Sequence, residues 1–392
     1  MQSGSKTHLL LKVLATVIFG AILFYGGFIV LIIMAMSAAH DVYFAVAFVF
    51  FIEILVLGML FLWTRPLLKK LRKAFIAVSL LTVIVWGGFY AYGEYDESIP
   101  VLRDRGINLG EYEPFHTKSK LARLEHPASL QIASELPKID SATALYPVVA
   151  AFVEAVYPKG NYTYGKQEIL TQTTTRKAFD RLADGEVDMI FAAAPSAEQI
   201  KKAAEKGVEF KLIPIGKEGF VFFVNAQNPV DSLSIDQIQS IYSGNINNWQ
   251  QVGGQNQSIK AFQREKDSGS QTRLEQLMAG HALQAAPQSE TTGGMGGIIR
   301  RTADYKNYNN ALGFSFRYYA TEMVKNNQIK LLRINGIEAG KETIRSGKYP
   351  LTGELYAITA KSQNPNLEKF IDWILSEEGQ QLVEESGYVG IK

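Results

Sequence analysis

Residues 259–283, IKAFQREKDSGSQTRLEQLMAGHAL, contain the pattern that decides the fold. The apolar run 259–262 predicts a short strand, 268–270 predicts a turn with two hydroxyls, and 272–283 predicts a helix. A helix that begins directly after such a turn offers free backbone N–H groups and a positive dipole end to an anion. This segment is therefore expected to bind an oxyanion, with Arg264 adding a charge-assisted contact, or to be an ordinary hydroxyl N-cap beside a surface arginine.

The same order of strand, hydroxyl-rich turn and helix occurs twice more. The turn 141–146 precedes a helix predicted over 146–157, and the turn 171–175 precedes a second helix. The apolar run 187–192 is typical of a buried parallel strand, and 367–385 predicts one long closing helix. Strands that alternate with helices predict an α/β fold, and about 265 residues exceed a single core, so we expect two lobes. Three such turns suggest helix N-termini that converge on one negative ligand.

Three apolar runs at the start of the chain, 9–36, 42–63 and 74–92, each predict a transmembrane helix. The loop 64–73 carries five Lys or Arg residues and the loop 37–41 carries none, which predicts that 64–73 is cytoplasmic. Everything after about residue 92 is then extracytoplasmic. A cleaved signal peptide is the alternative for the first run, but that run is much longer than the roughly 7 to 15 residues of a signal core.

Composition and motifs exclude several classes of function. The chain has no cysteine, which excludes disulfide scaffolds, cysteine-ligated metals and thiol nucleophiles. Residues 93–392 have a net charge of −3, so the sequence predicts no nucleic-acid partner. The five histidines form no ligand pair, and the glycine run 293–297 lacks the partners of a phosphate loop. No nucleophile, base or metal set is assembled, so we expect neither an enzyme nor a resident cofactor or metal.

Arg264 with Ser268-Gly269-Ser270, the segment 141–147 and the ending 387–389 together resemble the phosphate-specific substrate-binding proteins of ABC importers. The resemblance covers roughly 128–392. It implies two α/β lobes joined by crossover strands, with the anion bound dehydrated in the cleft between them. The implied domains are a membrane domain (1–92), an extracytoplasmic arm (93–127), lobe 1 (about 128–218 and 358–392) and lobe 2 (about 219–357).

The resemblance also implies a set of ligand-binding residues from both lobes. They are Thr143, Ala144, Leu145, Tyr146, Thr174 and Thr175 from the first lobe, and Arg264, Ser268, Gly269 and Ser270 from the second. One position departs from the family. The strand 187–192 is commonly followed there by an aspartate that accepts a proton from the bound phosphate, and Ala193 stands in its place.

Two functions stay open on this basis. The first is a membrane-tethered extracytoplasmic solute-binding protein that captures phosphate or a similar oxyanion for an ABC importer, with the lipid bilayer and the importer permease as partners. The alternative is a surface sensor or scaffold that uses the same fold with altered or lost ligand binding.

Overall fold

The chain divides into two compact units, Met1–Ile99 and Pro100–Lys392. The computed structural model describes residues 109–162, 169–285, 308–323 and 328–391, the short pieces 101–102, 291–292 and 305–306, and a few helical residues, single or in pairs, between 13 and 95. The three predicted spans (9–36, 42–63 and 74–92) fall, apart from those few residues, outside the described part of the chain. Within the described part, no helix combines the length and the apolar character needed to cross a bilayer.

Eight strands of the second unit form one mixed sheet in the described part of the chain. They are β1 (Ile139–Ser141), β2 (Leu170–Gln172), β3 (Met189–Ala192), β4 (Lys211–Asn225), β5 (Lys260–Ala261), β6 (Ala311–Phe316), β7 (Ile329–Leu331) and β8 (Thr352–Thr359). The order across the sheet is β2-β1-β3-β8-β4-β6-β5, and β7 also pairs with β4. β1 is parallel to β2 and β3, and β5 is parallel to β6, whereas β4 and β8 are antiparallel to their neighbours.

Helices follow most of these strands. They are α1 (Tyr146–Val156), α2 (Thr175–Ala183), α3 (Ala197–Glu205), α4 (Ile235–Tyr242), α5 (Gly269–Leu277), α6 (Lys341–Arg345), α7 (Leu367–Ile374) and α8 (Glu377–Glu385). Shorter helical turns span Leu109–Tyr112, Thr143–Leu145, Trp249–Val252 and Tyr319–Met323. Pairs of two-residue strands join Val101–Leu102 to Tyr305–Lys306, Ser232–Leu233 to Arg333–Ile334, and Gln263–Arg264 to Thr291–Thr292.

Two helix predictions were wrong in extent. The helix predicted over 272–283 begins at Gly269 and ends at Leu277, because Ala279 and Gly280 adopt left-handed backbone angles that a helix cannot continue. The single helix predicted over 367–385 is two helices, α7 and α8. Ser376 caps α8 by accepting a hydrogen bond from the Gly379 N–H, and this local bond competes with helix continuation.

The long strand β4 connects the two lobes. Its residues 211–219 pair with β8, and its residues 220–224 pair with β6. The first half packs against a core built around Phe152, Phe191 and Trp373, and the second against a core built around Phe220 and Trp249. The predicted two-lobed α/β fold is therefore confirmed, with β4 and β8 as the strands that cross between lobes.

Glu378, in the first turn of α8, attaches the segment before β1 to the end of the chain. Its carboxylate accepts hydrogen bonds from the backbone N–H of Ser129 (2.9 Å), the Ser129 hydroxyl (2.8 Å) and the Trp373 indole N–H (2.6 Å). These donors, the Ser129 N–H first, hold the pKa of Glu378 below its ordinary value.

Candidate functional site

A cleft of about 690 Å³ lies where the two lobes face each other. Its first-lobe wall contains Ala142, Thr143, Ala144, Leu145, Thr174, Thr175, Arg176, Lys177, Asp180 and Ala193. Its second-lobe and crossover walls contain Glu218, Arg264, Glu265, Lys266, Ser268, Gly269, Ser270, Ser315, Phe316, Tyr318, Tyr319 and Leu355, and Tyr388, near the end of the chain, adds to the wall from the first-lobe core. The first-lobe residues follow the carboxyl ends of the parallel strands β1, β2 and β3. These ends meet at one edge of a sheet, which is where α/β proteins bind ligands.

The turn after β1 is held from two sides. The Thr143 hydroxyl accepts a hydrogen bond from the Gln172 side-chain amide (2.6 Å), and the Tyr388 hydroxyl donates to the Ala144 carbonyl. The backbone N–H of Tyr146 donates to the Thr143 carbonyl, so it is engaged within this turn. The Tyr146 side chain is fully buried in the first-lobe core and does not belong to the cleft wall.

A buried carboxylate organises the turn after β2. Asp140, at 0 % exposure in β1, accepts hydrogen bonds from the Thr173 N–H (2.9 Å) and the Thr173 hydroxyl (2.9 Å). The same carboxylate accepts from the Ser141 N–H at 2.8 Å and from the Arg181 guanidinium at 2.6 Å. The turn that places Thr174 on the cleft wall is thus fixed by a charged group in the core.

The second-lobe wall is formed by Arg264 and the N-terminus of α5. Ser268 is the N-cap, and its hydroxyl accepts from the Gln271 N–H at 3.3 Å. The first N–H groups of a helix have no intrahelical acceptor, and here Gly269 and Ser270 lie on the cleft wall. The Arg264 backbone N–H donates to the Gln271 side chain at 2.8 Å. Its guanidinium Nε is buried and has no hydrogen-bond partner within the described part of the chain.

The two lobes approach closely at Gly269. A Cβ placed on Gly269 would lie 3.4 Å from the Thr175 hydroxyl oxygen and 3.8 Å from the Ala193 Cβ. A Cβ at this position would thus make ordinary van der Waals contacts with the first-lobe turns, which shows how close the start of α5 lies to them. Ala193 lies on the wall at this point and presents only a methyl group.

The electrostatics of the cleft favour an anion. Four cationic side chains (Arg176, Lys177, Arg264 and Lys266) and three carboxylates (Asp180, Glu218 and Glu265) line it. The Glu218 carboxylate already accepts hydrogen bonds from the backbone N–H groups of Gly219 (2.8 Å) and Tyr318 (3.1 Å), and Arg317 lies 3.3 Å away. Burial raises the pKa of Glu218 above its ordinary value, and Arg317 and the two amides oppose that rise. With Glu218 compensated in this way, the remaining charge of the wall is positive.

The structure brings nine of the ten sequence-predicted site residues together on the cleft wall, and only Tyr146 lies behind it. Sequence reasoning missed Asp140, Glu218 and the aromatic residues Phe316, Tyr318 and Tyr388. A lone acid inside the apolar strand β1 was the available signal for Asp140, because an unpaired buried carboxylate is too costly to persist. The described residues contain no group of three or more side chains that could hold a metal ion.

The chain is similar in sequence to a known family and to known binding proteins. Residues 132–378 match the family described as the PBP superfamily domain. The phosphate-binding protein PstS of Borreliella burgdorferi is 26% identical over 207 residues, which are 51% of this chain and 72% of that protein. PstS of Staphylococcus aureus (strain USA300) is 26% identical over 252 residues, or 62% of this chain and 75% of that protein.

A solved structure from Clostridium perfringens, described as a phosphate ABC transporter substrate-binding protein with bound phosphate, has the same fold. It is 24% identical, with a TM-score of 0.50, and covers 67% of this chain and 100% of its own. Because the superfamily match spans more than half of the sequence, the chain belongs to the PBP superfamily.

Proposed function

We propose that this protein is an extracytoplasmic solute-binding protein, and not an enzyme, that captures phosphate or a similar oxyanion for an ABC importer. The observation that carries the proposal is the Arg264 guanidinium, whose Nε is buried without a partner in the described part of the chain and which lines the same cleft as the first residues of α5. A buried N–H donor without an acceptor is unfavourable unless a ligand supplies one. The names of the PstS relatives support phosphate as that ligand.

Binding would use donors from both lobes. The Arg264 guanidinium and the N–H groups of Gly269 and Ser270 would contact the anion from the second lobe. The hydroxyls of Thr174 and Thr175, with backbone groups near Ala144, would contact it from the first. Since these donors lie on opposite walls of the cleft, anion binding would draw the two lobes together by a hinge motion about β4 and β8.

Isothermal titration calorimetry on the full-length chain in detergent tests this proposal. Phosphate is expected to give saturable heat with one site per chain, and sulfate serves as the comparison anion. A folded protein, verified by circular dichroism, that gives no saturable heat with either anion would contradict the function.

The methyl group of Ala193 favours the second candidate, a sensor or scaffold with altered ligand binding. Phosphate near neutral pH carries at least one proton, and a bound O–H without an acceptor costs about 1–3 kcal/mol. Ala193 supplies no acceptor, and the Glu218 oxygens are already engaged. Sulfate binding as tight as phosphate binding in the same titration would support this candidate.

The N-terminal unit is proposed to anchor the protein as a three-span membrane domain, with the importer permease as a neighbour in the membrane. The apolar runs 9–36, 42–63 and 74–92 support this, as do exposed apolar side chains on described helical residues such as Leu80, Leu81 and Ile84.

Because the chain has no cysteine, single introduced cysteines test this topology. In intact cells, a membrane-impermeant maleimide should label Lys348→Cys, at an exposed position after α6, but not Lys69→Cys in the loop 64–73 until the cells are lysed. Labelling of both before lysis would refute the orientation.

A further inference from the structure

Asp267, the residue directly before the N-cap of α5, has an unusual conformation. Its φ is +64°, in the left-handed region that residues with a side chain rarely adopt, and only 4% of its surface is exposed. Such conformations persist where surrounding contacts hold them, and they occur at functional sites. Specific contacts are therefore expected to hold Asp267 in this conformation.

Those contacts come from the other lobe. The Asp267 carboxylate accepts a hydrogen bond from the Ser196 hydroxyl at 2.8 Å, and its backbone carbonyl accepts from the Gln199 side-chain amide at 3.3 Å. Ser196 and Gln199 are 5% and 4% exposed. Ser196 is the N-cap of α3 and Gln199 lies in its first turn. This helix follows the first-lobe strand β3 and packs on α2.

Ser196 and Gln199 also cap their own helix. The Ser196 hydroxyl accepts from the Gln199 N–H at 3.1 Å, and the Ser196 N–H donates to the Gln199 side chain at 2.8 Å. This capping box fixes both side chains before they reach across to the second lobe. A rigid first-lobe element thus contacts the residue that immediately precedes Ser268 on the cleft wall.

We propose that Asp267 is an interlobe latch and the positioning residue of the anion-binding turn. When the lobes close, Ser196 and Gln199 hold Asp267 in its left-handed conformation, and this orients the amides of Gly269 and Ser270 towards the anion. The latch forms only with the lobes together, so it stabilises the ligand-bound state and slows ligand release. The inference rests on the proposed function for its ligand, but the closure itself can be measured without one.

Four variants of the full-length chain separate the latch from simple structural support. Asp267→Gly keeps the turn, because glycine accepts positive φ, and removes the carboxylate. Asp267→Asn keeps an acceptor oxygen and tolerates the left-handed region. Ser196→Ala removes the donor. Ser234→Ala is the matched control, since Ser234 forms the same capping box with Gln237 at α4.

The first measurement is phosphate binding by calorimetry, with release of radiolabelled phosphate followed by filter binding. Asp267→Gly and Ser196→Ala should each weaken affinity about tenfold through faster release, as expected for one hydrogen bond to a charged acceptor. The double variant should be no weaker than either single variant, because both remove the same bond. Ser234→Ala should bind within about twofold of the unmodified chain. Asp267→Asn should bind with an affinity between those of the unmodified chain and Asp267→Gly, because a neutral amide oxygen accepts a weaker hydrogen bond than a carboxylate. Unchanged release in Asp267→Gly and Ser196→Ala would overturn the latch.

The second measurement does not depend on the ligand. Spin labels at Lys201→Cys, on α3, and Lys348→Cys, in the second lobe, report the distance between lobes by double electron–electron resonance. Asp267→Gly and Ser196→Ala should lengthen or broaden this distance, and Ser234→Ala should not. If the unmodified chain binds no phosphate, the proposed function fails and this distance still decides the latch. An identical distance in all variants would refute it.

Discussion

Replacing Arg264 by glutamine should remove most of the affinity for phosphate without destabilising the fold. The Arg264 Nε is buried on the cleft wall with no partner in the described part of the chain, so its donor capacity is available to a ligand. One hydrogen bond to a charged group contributes about 1.5–3 kcal/mol, which corresponds to a roughly 10- to 150-fold rise in Kd. A bidentate contact would place the effect at or above the upper end of this range.

Calorimetry should be paired with urea denaturation of the same samples without phosphate. Because the buried Nε has no hydrogen bond to lose in the described part of the chain, the free energy of unfolding should stay unchanged or rise. Arg333→Gln, at an exposed position on the second lobe, controls for the loss of one positive charge and should bind normally. Phosphate affinity in Arg264→Gln equal to that of the unmodified chain would refute the assignment of this cleft as the anion site.

Three further predictions concern the support of the cleft, its selectivity and the pH dependence of stability. Asp140→Asn removes the charge of a fully buried carboxylate that pairs with the partly exposed Arg181, so it should lower the free energy of unfolding by about 1–3 kcal/mol in urea denaturation. Ala193→Asp adds an acceptor for the phosphate proton and repels sulfate, so the phosphate-to-sulfate affinity ratio should rise at least about tenfold by calorimetry; an unchanged ratio would show that the anion does not contact this position. The folded-state pKa of Glu378 is lowered, first by the Ser129 N–H, so its stabilisation is present above the unfolded pKa and is lost as pH falls through the folded pKa. Glu378→Gln should therefore reduce the free energy of unfolding more at pH 7 than near pH 3, and an equal loss at both would contradict this.

Much of the architecture could be predicted from local patterns. The strand, hydroxyl turn and helix at 259–283 exist because apolar periodicity and N-cap chemistry act over a few residues. The same holds for the turns at 141–146 and 171–175, and for Arg264 as an anion-binding candidate. The helix errors also have local causes, since left-handed residues after Leu277 and the Ser376 cap end helices that periodicity alone would extend.

The sequence by itself therefore determined the α/β class and named nine of the residues that line the cleft. Only the tertiary structure decided that these turns meet, that Asp140 anchors one of them and that Asp267 reaches Ser196. The partners of Asp140 in the second turn and in α2 lie 33 and 41 residues away, and Ser196 lies 71 residues from Asp267. Such contacts leave no periodic signal in the sequence, because they join segments that are far apart along the chain. Local propensity acts over a few residues, whereas a binding site between two lobes requires groups from distant segments to be brought to one place by folding.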